Sequence, residues 1–178
     1  MGVGQSITLL TPIAVVRYVG CLNNSAIVWN PNLVDSIISP EGEILSQRRA
    51  TEFNVLTSAE PYMPYILEGM KGVVDENGTA GNFFRKWKYA PAENVMCGKT
   101  GTSQVTIGGI RLDLENNGWF VAMTPREDPE IAIVSFIPNG LSGSYTTTAA
   151  RDFIEFYLDE KNKVDESLTL SGGNALTP

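Results

Sequence analysis

Met96-Cys97-Gly98-Lys99-Thr100-Gly101-Thr102-Ser103-Gln104, set between the apolar Val95 and Val105, holds a lysine, three hydroxyls and two glycines in one run. Its Gly98-Lys99-Thr100 core looks at first like a phosphate-binding loop. That signature needs a glycine five residues ahead of its Gly-Lys-Thr glycine and must open a helix. Position 93 is glutamate, and a strand-like segment follows. As a strand, the run alternates with period two, sending Lys99 and Gly101 to one side and Thr100 and Thr102 to the other. A lysine there can place a cation beside a reacting hydroxyl or a substrate carboxylate, the threonines can donate to that carboxylate, and Gly101 leaves the backbone open to close approach. On these residues alone, a half-exposed strand with a solvated lysine accounts for the pattern equally well.

Working outward, Gly118 to Thr124 and Glu130 to Ile137 read as two further strands joined by the turn-rich Pro125-Arg126-Glu127-Asp128-Pro129. Short links of this kind imply antiparallel pairing. The last strand is apolar on both faces, Ile131, Ile133 and Ile137 against Ala132, Val134 and Phe136, which places it in the middle of a covered sheet. Upstream, Met63, Ile66, Leu67, Met70, Val73 and Val74 form one apolar stripe at helical spacing, starting near Glu60. Asn77-Gly78 reads as its exit, with glycine in the left-handed region, and Thr79 as the cap of a short turn through Phe83 and Phe84.

Nearer the start, Thr11-Pro12 caps and opens a helix carrying Ala14, Arg17, Tyr18, Cys21 and Leu22. Ser25 to Trp29 reads as a short extended piece. Leu33 to Ser39 and Glu43 to Gln47 flank Pro40-Glu41-Gly42 as a hairpin. Downstream, Ala150, Phe153, Ile154, Tyr157 and Leu158 define a helix entered through Thr146 to Thr148. The order predicts an α+β fold, an antiparallel sheet covered by helices, over residues 1–160, with a polar, flexible tail over 161–178.

Composition removes several function classes. Of 178 residues, 13 are lysine or arginine and 20 aspartate or glutamate, a net charge of -7 that disfavours nucleic acid as a partner. The cations Arg85, Lys86 and Lys88 interleave with Phe84, Trp87 and Tyr89, but in so acidic a chain they read as a solvated loop near the cleft mouth. The chain has no histidine, which excludes Ser-His-Asp and Cys-His mechanisms within it and leaves no zinc site beside its two cysteines, Cys21 and Cys97. Cys97 reads as a small buried thiol. Neither a metal nor a cofactor is implied.

Lys99-Thr100-Gly101 resembles the third motif of penicillin-binding proteins and class A β-lactamases, which follows a Ser-x-x-Lys and a Ser-Asp-Asn type motif. The likeness extends along the chain. Gly2-Val3-Gly4-Gln5-Ser6 with Thr11-Pro12 is similar to the segment that enters a helix in class B transpeptidases. Glu68-Gly69-Met70-Lys71-Gly72-Val73-Val74 with Gly78-Thr79-Ala80 looks like that family's helix before the Lys-Thr-Gly strand. Gly118-Trp119-Phe120-Val121, Pro129-Glu130-Ile131-Ala132 and the helix after Gly143 continue the order. The pattern is that of elongation-type class B penicillin-binding proteins.

The resemblance implies a penicillin-binding/β-lactamase-like fold and a D,D-transpeptidase that cross-links peptidoglycan stem peptides and is acylated by β-lactams. Lys99 would be the motif lysine. Thr100 and Thr102 would bind the substrate or antibiotic carboxylate, Gly101 would keep the cleft open, and Gln104 would extend the substrate-binding run. The backbone N–H of Thr102 would be half of an oxyanion hole. The departure is that no serine here has lysine at the third position, Ser36, Ser46 and Ser58 leading to Ser39, Arg49 and Pro61, and no Ser-x-Asn occurs. In the family both motifs precede the Gly-x-Gly-Gln segment. The expectation is therefore a C-terminal portion of a transpeptidase domain, inactive by itself, whose parent is anchored at the extracytoplasmic face of the cell membrane. Its partners would be the N-terminal part of the same domain and, through the sheet edge this leaves open, a second copy. The alternatives are a non-catalytic peptidoglycan- or protein-binding module on the same fold, and a fragment of a β-lactam sensor or β-lactamase.

Overall fold

The alternation of Phe120 and Ala122 with Val121 and Met123 divides the molecule into layers. In the computed structural model, which describes residues 9–108 and 110–172 with side chains as far as 164, these four residues lie in β8 (Asn117–Thr124). Antiparallel to β8 run β5 (Cys97–Ser103) on one side and β9 (Ile131–Ile137) on the other. Phe120 and Ala122 are buried with Phe84, Trp87 and Met96 against Ala150, Ile154 and Leu158 of α4 (Gly143–Gly172). Val121 and Met123 are buried on the opposite face with Val19 of α1 (Pro12–Gly20) and Met63 and Met70 of α2 (Met63–Val74). A three-stranded sheet thus separates two cores, as the α+β reading requires.

The middle strand is β8, and among the described residues β9 is at the edge: its apolar faces alone read as the middle of a sheet, while the open edge is the one expected from the missing motifs. Alternation reports what covers the faces of a strand, not what lies beside it in the sheet. Helix α1 packs on one face of β9 and α4 on the other, so both faces are apolar although only one edge is paired among the described residues.

Around this centre the chain forms short ladders. β1 (Ile27–Trp29) pairs with β4 (Glu52–Val55), a strand the sequence reading did not mark, and β2 (Ser36–Ile38) with β3 (Ile44–Gln47) as the expected hairpin. The hairpin turns at Gly42, whose φ of +90° is open to glycine and strained for other residues. Two-residue strands β6 (Thr106–Ile107) and β7 (Ile110–Arg111) form a small ladder after the motif strand. Gly2 to Ser6 lie outside the described residues.

Helix α1 begins as read, with the Thr11 hydroxyl accepting from the Ala14 N–H at 3.4 Å and proline in the first turn. Helix α2 ends at Val74, and Gly78 is not left-handed: a Cβ there would lie 2.2 Å from the Val73 carbonyl oxygen, so close packing demands the glycine. Thr79 does not cap α3 (Gly81–Phe84), whose cap position Ala80 makes no side-chain bond. Arg85, Lys86 and Lys88 are exposed in the loop after α3, as read, but the loop is anchored: Phe84 and Trp87 are buried, and Lys88 and Tyr89 bond the Asp159 carboxylate on α4 at 2.5 and 2.6 Å.

Helix α4 starts at Gly143, ahead of the expected threonines, because the buried hydroxyls of Thr146 and Thr147 both bond the Gly143 carbonyl, at 2.7 and 3.4 Å. It continues through the polar stretch expected as a tail, as far as Gly172. Lys161 and Tyr157 clasp Glu130, and Lys163 pairs with Glu160 one turn back at 2.6 Å, which ties the helix to β9 as far as Lys161 and adds modest helical support at Lys163. Gly173 and Asn174 lie outside the described residues.

Candidate active-site wall

Strand β5 has a partner on one side only. Lys99 sits opposite Val121, Thr100 opposite Phe120, Gly101 opposite Trp119 and Thr102 opposite Gly118, while the other edge has no strand beside it among the described residues. The strand starts in the core, with Cys97 and Gly98 buried, and emerges at Lys99. Gly98 is required there, since a Cβ would lie 2.7 Å from the Phe120 ring.

Lys99 is exposed and lines, with Val121, an apolar groove of about 420 Å³ between α1 and α2. Val15, Tyr18, Val19 and Leu22 form one bank, Tyr65, Ile66 and Val73 the other. Ile66, one residue of the apolar stripe, is 42% exposed in this groove, so the α2 stripe is only partly covered. The Lys99 ammonium donates to the carbonyl of its neighbour Thr100 at 2.7 Å.

The threonine hydroxyls turn to the other layer. Thr100 and Thr79 hydroxyls are 2.8 Å apart, and the Thr79 carbonyl accepts from Ser144 Oγ at 3.3 Å. Thr102 Oγ1 accepts from the Gly143 N–H at 3.0 Å, at the start of α4 where the helix dipole is positive. Lys99 on one side and Thr100 and Thr102 on the other therefore stand as the alternation predicts. Gly101 is pressed by Gly143, whose added Cβ would lie 2.2 Å from the Gly101 carbonyl. Gln104 lies just beyond β5 and is half-buried.

Thr79, Gly143 and Ser144 belong to this wall, and sequence reasoning did not place them there. A repeat of Gly-Thr and Gly-Ser pairs at Gly78-Thr79 and Gly143-Ser144 was the available signal. Cys97 takes no part: burial pushes its thiol up to about 11, against smaller opposing effects of a Met123 backbone bond and the Arg126 charge, so it stays protonated and inert. The free thiol of Cys21, raised by burial, bonds the Tyr18 carbonyl at 3.0 Å. Among the described residues no helix is long and apolar enough to cross a membrane. The wall can offer an ammonium, two tethered hydroxyls and strand N–H groups to an anionic, carbonyl-bearing ligand.

Residues 1–155 match the family model described as the penicillin binding protein transpeptidase domain. Over 174 residues the chain is 26% identical to the peptidoglycan D,D-transpeptidase MrdA of Haemophilus influenzae, covering 90% of this chain and 26% of that protein. Against the protein of the same name from Salmonella typhimurium it is 29% identical over 160 residues, 84% of this chain and 25% of the other. The chain spans about a quarter of the length of these curated relatives. Its fold superposes on penicillin-binding protein A from M. tuberculosis in an imipenem acyl-enzyme complex, with a TM-score of 0.69, 21% identity and coverage of 87% of this chain and 32% of that one. Penicillin-binding protein 2B from Streptococcus pneumoniae gives a TM-score of 0.66 at 23% identity, over 84% of this chain and 25% of that chain.

Proposed function

This chain belongs to the penicillin-binding protein transpeptidase domain family, and from that premise we propose that it supplies the lysine-and-hydroxyl wall of a peptidoglycan D,D-transpeptidase site. In the reaction assigned to that site, a serine hydroxyl attacks a stem-peptide carbonyl, an amine leaves, and the acyl-serine ester is taken by the amine of a second strand. A β-lactam enters the same path when its ring amide is opened by that serine. None of the 178 residues forms the Ser-x-x-Lys or Ser-x-Asn pattern, so the nucleophile comes from outside them.

Each wall residue then has a task. Lys99 supplies positive charge beside the reacting hydroxyls, favouring proton loss from the one that attacks. Thr100 and Thr102 donate to the ligand carboxylate, which has acceptors only. The Thr102 N–H helps hold the developing oxyanion. Gly101 keeps the strand open, and Gln104 continues the edge along which the peptide lies. The observation that carries the reading is the placement of Lys99 at the apolar α1–α2 groove while both motif hydroxyls are tethered to the α4 side. That groove is assigned to the element bearing the serine, and the unpaired edge of β9 to a strand of the same domain. The site faces the extracytoplasmic side of a bacterial membrane.

Labelling with fluorescent penicillin tests this. The 178-residue chain alone is expected to stay unlabelled and to self-associate in sedimentation through the β9 edge. A transpeptidase domain that includes this chain and its Ser-x-x-Lys segment is expected to label, and Lys99→Ala to slow its acylation about a hundredfold, the scale of removing one preorganised electrostatic group. Covalent labelling of the chain alone, or indifference of the domain to Lys99→Ala, would overturn the assignment.

A further inference from the structure

A threonine hydroxyl has one proton, and the partner it finds in the protein decides whether that proton remains for a ligand. For Thr102 the matter is settled by chemistry. Its partner is the Gly143 N–H, which can only donate, so Thr102 Oγ1 is an acceptor and its proton is left over. Thr100 is two residues away on the same face, and its partner is the Thr79 hydroxyl, which can act either way. If Thr100 donates, its proton is spent on Thr79. If Thr79 donates, Thr100 matches Thr102, and both protons are available to one anion.

Thr79 is built into a turn with little slack. A Cβ at Gly78 would lie 2.2 Å from the Val73 carbonyl, and one at Gly81 would lie 2.1 Å from the Asp75 carbonyl. Ala80 is fully buried, and its N–H donates to the Val73 carbonyl at 2.9 Å. The Thr79 carbonyl is held by Ser144 Oγ from the first turn of α4. Thus the turn after α2, the motif strand and the start of α4 are joined at the Thr79 backbone and hydroxyl. Thr79 itself is exposed, so burial does not require this pairing, and water would satisfy its hydroxyl equally well.

Resting on the function proposed above, we propose that Thr79 is a positioning residue of the carboxylate-binding wall. Its hydroxyl donates to Thr100 Oγ1 and so aims the Thr100 proton at the ligand carboxylate, as Gly143 does for Thr102. Bonds in such a chain polarise one another, and the last one, to a charged acceptor, gains most. No covalent step is involved.

The test uses a transpeptidase domain that contains this chain and its serine, with Thr79→Val, which removes the hydroxyl at nearly constant shape, and Thr79→Ser, which restores it. Binding and acylation are separated by stopped-flow with a fluorescent penicillin and with its carboxylate methyl ester. Thr79→Val is expected to weaken capture of the free carboxylate about fivefold, the worth of one net hydrogen bond, to leave the ester unchanged, and to be rescued by Thr79→Ser. A thermal melt of each variant accompanies the kinetics. Equal capture by Thr79→Val and wild type would overturn the inference, as would a loss shared by carboxylate and ester, which marks a merely structural role. A wild-type domain that takes up no penicillin at all would overturn the function proposed above and this inference with it. A labelled wild type with an indifferent Thr79→Val would overturn the inference alone.

Discussion

Replacing Gly143 by alanine adds one methyl group where α4 meets the motif strand. That Cβ would lie 2.2 Å from the Gly101 carbonyl oxygen, 2.6 Å from the Gly101 nitrogen and 2.6 Å from the Trp119 carbonyl oxygen. All three neighbours are backbone atoms of paired strands, so no side chain can rotate away. To reach ordinary contact the first turn of α4 must retreat by roughly 1 Å. The Gly143 N–H bond to Thr102, now 3.0 Å, would be lost in that retreat. Overpacking costs about 1–3 kcal/mol and the lost bond about 1 kcal/mol, and at the first residue of the helix alanine brings no propensity gain over glycine to offset them. The net expectation is a loss of about 2 kcal/mol or more, or roughly 4–8 °C in melting temperature for a chain of this size. Gly72, in α2, has nothing within 4 Å of an added Cβ, and Gly72→Ala should stabilise by about 0.5–1 kcal/mol through helix propensity alone. Urea unfolding followed by tryptophan fluorescence measures both, comparing midpoints at constant slope. A Gly143→Ala protein as stable as wild type would refute the close-packing argument for the wall.

Cys97 should resist iodoacetamide in the folded state at pH 8 and react on unfolding. With its thiol raised from 9.0 to about 11 by burial, the folded state holds its proton longer than the unfolded chain. The associated stability is therefore present below pH 9 and falls by an amount on the order of 2 kcal/mol as pH rises through the folded value. An alkaline unfolding series of wild type against Cys97→Ala checks this. Phe120→Ala, which empties a fully buried site beside Phe84, should cost about 3–5 kcal/mol by the same urea measurement. Lys88, then Tyr89, holds the Asp159 carboxyl below its ordinary 3.8, and Lys161, then Tyr157, holds Glu130 below 4.5. The clasp of α4 is thus present above those ordinary values and weakens as pH falls through the depressed ones. An acid titration of helical circular dichroism should show this loss, flattened in a Lys88→Met, Lys161→Met double variant and by added salt.

Much of the centre was legible because its signals are local. Thr11-Pro12, the stripe from Met63 to Val74 and the runs that became β5, β8 and β9 each contain the residues that define them. The motif run placed Lys99 and the two threonines on opposite faces for the same reason. What escaped depends on neighbours far along the chain. β9 declared its two covered faces, whereas its open edge was expected only from the missing motifs and not from β9 itself, and β4 is a strand only because β1 lies beside it. Thr79 had the local credentials of a cap. Its actual partner is Thr100, and nothing in either local sequence encodes a meeting across the turn after α2. Gly78 was read through its backbone freedom, whereas its lack of a side chain is what the fold uses. The partial exposure of Ile66 was also hidden, since periodicity identifies an apolar face without saying whether anything covers it.

The division of the wall between two layers has a consequence for how such a site can vary. Lys99 borders the α1–α2 layer, whereas the hydroxyls of Thr100 and Thr102 are moored to Thr79 and Gly143 on the α4 side. Seven residues of β5 are the seam between them. A substitution that tilts α4 moves the moorings of the hydroxyls and leaves the groove beside Lys99 where it was, whereas a shift of α2 reaches both, because Thr79 sits in the tight turn that follows α2. Under the function proposed above, changes in α4 would act on carboxylate capture through the hydroxyls, while changes in α2 would act on capture and on the ammonium together.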